Sequence, residues 1–179
     1  MLTATVETEN FSLENFMLNP PEHMEWVDGQ LMEKNGMTLK HSEIQSNLSF
    51  YWRSYMISSG QGGKVYVEVP CRTNKQARRP DVAYLTPELV AEFGNLAVLP
   101  QSFPLIAEIV SPTDLAEDVF LKAQEYLQSG CEEVWLVFPE SRLILVMIQS
   151  QILGFAAGEV VSTQRVLQGF SVAVDELLA

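Results

Sequence analysis

The sequence predicts one domain over residues 1–179, of the α/β or α+β class, with a mixed central β-sheet flanked by helices. Of its 179 residues, 47% are hydrophobic and 19% are charged, which suits one globular domain with a real core. An apolar strand, a helix and a second apolar strand follow one another at 103–138. That unit has the size of a β–α–β crossover whose parallel strands are buried on both faces.

Charge and targeting signals limit the functions that suit this chain. Its net charge of −12 and pI of about 4.5 do not create the positive field expected of a nucleic-acid-binding protein. A DNA-binding role therefore needs a local basic patch, or metal ions that neutralise the site. The sequence has no membrane-length apolar run and no signal-peptide pattern. Cys71 and Cys131 lack metal-ligand spacing, so a reduced cytoplasmic compartment is the simplest interpretation, with a disulfide as the alternative.

The first half of the chain predicts two helices and several short strands after a loose tail at 1–10. Asp28-Gly29 separates two strand-like runs, which is a strong hairpin signal. Apolar residues recur at helical spacing in the long helix, and Gly60 follows its end. The predicted bounds are a helix at 12–18, a hairpin at 23–34, a helix at 38–59, strands at 64–70 and 78–85, and a helical turn at 87–93.

The second half predicts strands around one further helix. Thr113 or Asp114 can cap that helix, which runs to about Ser129 with Gly130 as its terminator. The predicted bounds are strands at 103–110, 133–138 and 143–148, weaker strands at 152–155 and 159–166, and a short strand with a helical turn at 170–178.

Glu108 interrupts the apolar run Phe103–Val110, which Ser111-Pro112 ends. Strand side chains alternate, so Leu105, Ala107 and Ile109 share one face and Glu108 points to the other. A carboxylate among apolar neighbours is costly unless it is protonated, paired or bound to metal. Glu108 is therefore the first candidate for a functional residue.

Asp81 and Lys122 are the residues most able to join Glu108. Asp81 follows a proline at the start of a strand, and Lys122 lies on the helix after the strand of Glu108. If the two strands are neighbours, the carboxylates converge and must share a proton or hold a hard cation such as Mg²⁺ or Mn²⁺. A lysine beside them can activate a metal-bound water or neutralise developing phosphate charge. This is the chemistry of metal-dependent phosphodiester hydrolysis.

Each of these residues also has a simpler structural interpretation. Asp81 alone is more often a turn or cap residue, and Lys122 alone a solvated helix residue. Glu108 can instead form a buried salt bridge with Lys122 or Arg79. Only the combination of the three favours a catalytic site.

This ordered set of residues resembles the PD-(D/E)XK nuclease superfamily, and more closely its Uma-type family of restriction endonucleases, long treated as a domain of unknown function. The usual lysine position two after the acid holds Val110, so Lys122 matches the variant in which the following helix supplies the lysine. The family often has an acid where this chain has Phe138. The matching segments are 25–31, His41, 79–82, 106–112, Lys122, 126–130 and 134–137.

The resemblance implies a restriction-endonuclease-like fold and a metal-dependent DNA endonuclease. It implies that Asp81 and Glu108 bind Mg²⁺ or Mn²⁺, with the Ile109 carbonyl as a third ligand. It implies that Lys122 is the catalytic base or a charge stabiliser. Nucleases of this fold commonly pair to address two strands, so a homodimer is expected, with 143–148 as a candidate interface.

Three accessory residues and one competing function accompany this prediction. His41 contacts a phosphate or forms a local hydrogen bond, and Glu43 joins the site or only favours the helix dipole. Arg79 belongs to a basic run with Arg72, Lys75 and Arg78 that faces phosphate or lies in a solvated loop. The competing function is a catalytically inactive interaction or regulatory module that keeps the nuclease fold, which the acidic charge and the displaced lysine favour.

Overall fold

A computed structural model describes residues 11–34 and 37–179, and the predicted tail at 1–10 lies outside these residues. The described part contains five helices and twelve strands. The helices are α1 (Leu13–Leu18), α2 (Leu39–Ser58), α3 (Pro87–Phe93), α4 (Ala116–Gln128) and α5 (Val174–Leu177). The strands are β1 (Met24–Val27), β2 (Gln30–Glu33), β3 (Lys64–Val67), β4 (Cys71–Arg72), β5 (Ala77–Arg78), β6 (Val82–Leu85), β7 (Leu105–Ile109), β8 (Glu133–Phe138), β9 (Leu143–Ile148), β10 (Gln151–Ala156), β11 (Val160–Ser162) and β12 (Ser171–Ala173).

The predicted mixed central sheet is confirmed. Six strands lie in the order β10-β9-β8-β7-β6-β3. β7 and β8 are parallel, with α4 as their crossover, and the other neighbouring pairs are antiparallel. The strand–helix–strand pattern at 103–138 thus identified the centre of the sheet.

Helices cover the two faces of this sheet, as the alternation in β7 predicts. On one face, Leu105, Ala107 and Ile109 belong to the same core cluster as α2. On the other face, Ile106 packs with residues of α4 such as Tyr126. Glu108 points to this second face and therefore towards α4.

The predicted hairpin forms and extends a smaller sheet beside the central one. β1 and β2 pair around Asp28-Gly29, and the strand order is β2-β1-β5-β4. The predicted single strand at 78–85 divides into β5 and β6, which belong to different sheets. Pro80 has no N–H for a ladder, so the chain changes sheets there and delivers Asp81 between them.

Two local expectations are corrected. Helix α4 has Leu115 at its N-cap rather than Thr113 or Asp114, because the Asp114 carboxylate accepts a hydrogen bond from the Ser111 N–H instead. The segment 143–148 is not an open surface. It is β9, paired on both sides by β8 and β10, with Ile144 and Val146 fully buried within the chain.

No helix among the residues that the structure describes combines the length and apolar character needed to cross a membrane.

Candidate active site

Asp81 directly precedes β6, and Glu108 lies on the neighbouring strand β7. The antiparallel register of β6 and β7 pairs Val82 with Ala107, so Asp81 and Glu108 each stand one residue beyond this pair. Oδ2 of Asp81 accepts a 2.6 Å hydrogen bond from the Ile109 N–H. Both carboxylates are buried, so their charges must be balanced by the protein or by a ligand.

Lys122 reaches the Glu108 carboxylate from α4. Its Nζ lies 3.0 Å from Glu108 Oε1 and 3.0 Å from Glu25 Oε1. One helical turn further, the Tyr126 hydroxyl donates a 2.7 Å hydrogen bond to Glu108 Oε1. Both of these contacts with Glu108 use Oε1. Helix α4 thus supplies a lysine at Glu108, whereas position 110, the usual position of that lysine, holds a valine.

A second lysine lies on the Asp81 side of the site. Lys34 Nζ donates to Asp81 Oδ1 at 2.6 Å, to the Arg79 carbonyl at 2.7 Å and to Glu68 Oε1 at 3.1 Å. His41 Nε2 lies 3.3 Å from the same oxygen of Asp81. Gln45 donates to Glu68 Oε1 and to the Asp81 carbonyl, both at 3.0 Å. Asp81 is therefore held from three sides.

Glu25 connects the site to a peripheral ion-pair network. Its Oε1 accepts from the Arg79 N–H at 2.8 Å, and its Oε2 lies 3.3 Å from Arg78 Nη1. Arg78 in turn donates to both carboxylate oxygens of Glu125 on α4. This network ties the hairpin, the small sheet and α4 together around Lys122.

Burial and pairing set the protonation of the Glu108 side of the site. Burial raises the pKa of Glu108, and the nearby Asp81 charge raises it further, against the opposing effect of Lys122. The pKa of Lys122 is raised well above its ordinary value: burial opposes this, but the Glu108 and Glu25 carboxylates outweigh it. Lys122 is consequently an ammonium at neutral pH beside these two carboxylates.

The Asp81 side is ionised. The pKa of Asp81 lies well below its ordinary value, because the Lys34 charge and the His41 hydrogen bond outweigh burial. The pKa of Lys34 is raised against burial by Asp81 and Glu108. The hydrogen bond from His41 to Asp81 raises the pKa of the imidazole. The carboxylates of the site are therefore paired with two ammonium groups, those of Lys34 and Lys122, and do not form an unpaired acidic cluster.

The Glu25 network predicts an acid-sensitive contribution to stability. Burial alone would raise the pKa of Glu25, but Lys122 and Arg78 lower it to about 2 from 4.5. A lowered carboxyl pKa stabilises the fold above pH 4.5, and this contribution disappears as the pH falls from 4.5 to 2. We expect Glu25→Gln to lower the free energy of unfolding by roughly 3 kcal/mol at pH 7. Urea titrations measure the difference in free energy of unfolding between the variant and the wild type, and this difference should become smaller below pH 4.5. A difference that does not change with pH would contradict the lowered pKa of Glu25.

The structure separates the alternatives that the sequence left open for the three accessory residues. Glu43 is exposed and pairs with Lys40 at 3.2 Å, so it does not join the site. The Arg79 guanidinium donates to the backbone carbonyls of Met24, Glu68 and Pro21, and it braces loops instead of facing a phosphate. His41 does lie in the site, beside Asp81.

Sequence reasoning missed Lys34, Gln45, Tyr126 and the role of Glu25. Glu25 and Tyr126 lie in segments that carry the family resemblance, which was the available signal. Gln45 follows buried Ile44 on α2 and is itself buried, which is unusual for a glutamine, but this burial is visible only in the structure. Lys34 had no comparable local signal.

The oxygen donors at the site suit a hard divalent cation in kind. Asp81, Glu108 and the Ile109 carbonyl are the ligand types that Mg²⁺ and Mn²⁺ prefer. Among the described residues, however, no group of three or more histidine, cysteine or acidic residues is arranged to hold a metal ion. The ammonium groups of Lys34 and Lys122 contact the carboxylates instead.

Comparison with known proteins agrees with this architecture. The family model Uma2, described as "Putative restriction endonuclease", matches residues 8–175. The fold is similar to the crystal structure of "a putative nuclease belonging to DUF820" from Anabaena variabilis ATCC 29413, with a TM-score of 0.82 and 19% identity over 94% of this chain and 98% of that chain. Comparison with curated proteins gives no significant match. Because the family model spans nearly the whole sequence, the chain belongs to the Uma2 family of putative restriction endonucleases.

Proposed function

We propose that this protein is a metal-dependent DNA endonuclease that hydrolyses phosphodiester bonds at the cluster of Asp81, Glu108 and Lys122. The observation that supports the proposal is the neighbouring placement of these residues, because Asp81 directly precedes β6, Glu108 lies on the adjacent β7, and Lys122 contacts Glu108 from the crossover helix. This placement supports the PD-(D/E)XK pattern that the sequence resembles, with the lysine supplied from α4.

Asp81 and Glu108, with the Ile109 carbonyl, would hold Mg²⁺ or Mn²⁺. A bound divalent cation supplies Lewis acidity and lowers the pKa of water. Lys122 stabilises the negative charge that develops on the transferred phosphate, because its ammonium is retained at neutral pH. Of the two roles that the resemblance leaves open for Lys122, charge stabilisation is thus the one that the raised pKa supports. Tyr126 positions Glu108 through its hydrogen bond.

The DNA partner follows from the site rather than from the overall field. The chain carries a net charge of −12, and Arg78 and Arg79 of the basic run use their guanidinium groups internally. Lys75 is exposed and Arg72 half-buried, which leaves them to meet phosphate oxygens. We further propose a homodimer, since two active sites address two strands, and a cytoplasmic location.

A second candidate function is a nuclease-fold module without catalytic activity, acting through binding or regulation. It is favoured by one observation: Lys34 already neutralises Asp81 at 2.6 Å, so the site is balanced without a metal. Cleavage measurements separate the two functions.

The test is cleavage of supercoiled plasmid and single-stranded DNA with Mg²⁺ or Mn²⁺, comparing the wild type with Glu108→Gln. We expect metal-dependent nicking by the wild type and a loss of at least about 10²-fold in the variant, since a metal ligand and the partner of Lys122 are both removed. Glu132→Gln, at an exposed position before β8, is the matched control and should cleave normally. Equal cleavage by Glu108→Gln and the wild type would exclude this site as its source, and no cleavage by the wild type would favour the inactive module.

A further inference from the structure

Lys34 makes contacts that the proposed reaction does not use. It is the residue that directly follows β2, and its side chain is 17% exposed. Its ammonium contacts two carboxylates and one backbone carbonyl, all within 3.1 Å. Three oxygen ligands around one cationic centre form an environment that resembles a cation site more than a surface ion pair.

The two oxygens of Asp81 differ in how easily they can change partner. Oδ2 accepts from the Ile109 N–H, which is fixed in the backbone of the central sheet. Oδ1 accepts from Lys34, whose ammonium is carried by a flexible four-carbon stem. His41 Nε2 also lies 3.3 Å from Oδ1, but Lys34 is the closer partner at 2.6 Å. A divalent cation that binds Asp81 at Oδ1 must therefore replace Lys34, because an ammonium and a divalent cation on one buried oxygen repel each other strongly.

We infer that Lys34 is an internal counter-cation, which occupies the cation position on Asp81 and which a divalent metal ion displaces when it binds. This inference rests on the proposed function, because it concerns metal binding at the same site. Lys34 then has a second carboxylate, Glu68, on which its ammonium remains neutralised. Lys122 cannot take the same role, since it is held between Glu25 and Glu108 on the opposite side.

If Lys34 competes with the metal ion, removing Lys34 should increase the affinity of the site for metal. Removing a lysine from a metal site would ordinarily disturb the fold or leave affinity unchanged. Here it removes a competitor, and it takes away the ammonium that balances the Asp81 and Glu68 carboxylates, which a metal ion can then neutralise. We therefore expect Lys34→Met to bind Mn²⁺ about tenfold more tightly than the wild type, or better.

Mn²⁺ binding is measured by titration calorimetry and by the metal-induced rise in Tm, with circular dichroism to verify folding. Lys40→Met, which removes a lysine paired with exposed Glu43 at the start of α2, is the matched control and should bind like the wild type. If Lys34→Met does not fold without metal, Lys34→Gln keeps a hydrogen-bond donor at Asp81 without the charge, and the same gain is expected. Adding Glu108→Gln to the Lys34 variant should remove the gain, which locates the ion at this site.

Equal Mn²⁺ affinity of the wild type and the folded Lys34 variants, or no binding by any of them, would overturn the inference. The proposed nuclease function fails separately, through the absence of DNA cleavage by the wild type. A gain in affinity together with an inactive wild type would keep the counter-cation assignment and reject the nuclease. Metal-dependent cleavage by the wild type, without any gain in the Mn²⁺ affinity of the Lys34 variants, would support the nuclease and reject the counter-cation assignment.

Discussion

Replacing Lys122 with methionine is expected to reduce DNA cleavage by on the order of 10²–10³-fold, the usual cost of removing one group that stabilises transition-state charge. Lys122 is the cation held at Glu108, with Nζ 3.0 Å from its carboxylate. Burial lowers its pKa, but Glu108 and Glu25 raise it by more, so the side chain is an ammonium at neutral pH. The methionine preserves the length and apolar stem of the side chain and removes only its charge. Initial rates of plasmid nicking at saturating Mn²⁺ measure the effect.

Two further variants separate a chemical role of Lys122 from a structural one. Lys64→Met removes an exposed lysine on β3 and changes the net charge equally, so it should cleave like the wild type. Lys122→Arg keeps the charge but replaces a point charge by a planar fork, so it should fold normally and recover only part of the rate. If Lys122→Met cleaves at the wild-type rate while folded, the assignment of Lys122 to the reaction is wrong.

The central sheet could be predicted because its signals are local. Apolar runs of strand length, Ser-Pro and glycine terminators and the 103–138 unit lie in contiguous sequence, and they identify β7, α4 and β8. The pairing of β6 with β7, which brings Asp81 to Glu108, is a long-range contact, and the residues alone made it conditional. The family resemblance supplied that step.

The accessory residues show where local reasoning stops. On α2, buried Ile44, Leu48 and Trp52 mark the face towards the sheet. Gln45 borders this face and reaches the site, whereas Glu43 lies outside it, because successive helical residues are about 100° apart. The sequence position of Glu43 at the start of α2 does not show which face of the helix its side chain occupies. Only the position of α2 on the sheet decides it.

Lys34 and Arg79 could not be assigned for a different reason. The partners of Lys34 are Glu68 and Asp81, which follow 34 and 47 residues later in the chain. Arg79 donates to backbone carbonyls. Because every residue has a backbone carbonyl, no sequence pattern predicts these contacts. Basic residues in an acidic chain suggested contact with DNA, but buried carboxylates and carbonyls inside the fold compete for the same cations.

Replacing Asp81 with asparagine is expected to destabilise the fold by about 3–5 kcal/mol, the usual cost of breaking a buried ion pair from one side. Asp81 is 1% exposed, and its two oxygens accept from Lys34 and from the Ile109 N–H. An asparagine has only one acceptor oxygen at its side-chain end, so one of these donors is left facing an NH₂ group. Urea unfolding in EDTA measures the loss, and Asp118→Asn, at an exposed position on α4, is the neutral control.

The reason for the loss can be isolated by adding Lys34→Met to Asp81→Asn. If the cost arises mainly from a buried ammonium without its carboxylate, removing the ammonium should make the double variant more stable than the sum of the single variants predicts, by about 1–3 kcal/mol. Cleavage should remain absent, because Asp81, the proposed metal ligand, is still missing. Strict additivity of the two unfolding free energies would mean that Lys34 and Asp81 do not interact in solution. In that case the same ammonium could not compete with a metal ion for Asp81, so this stability cycle also tests the electrostatic premise on which the metal-displacement proposal depends.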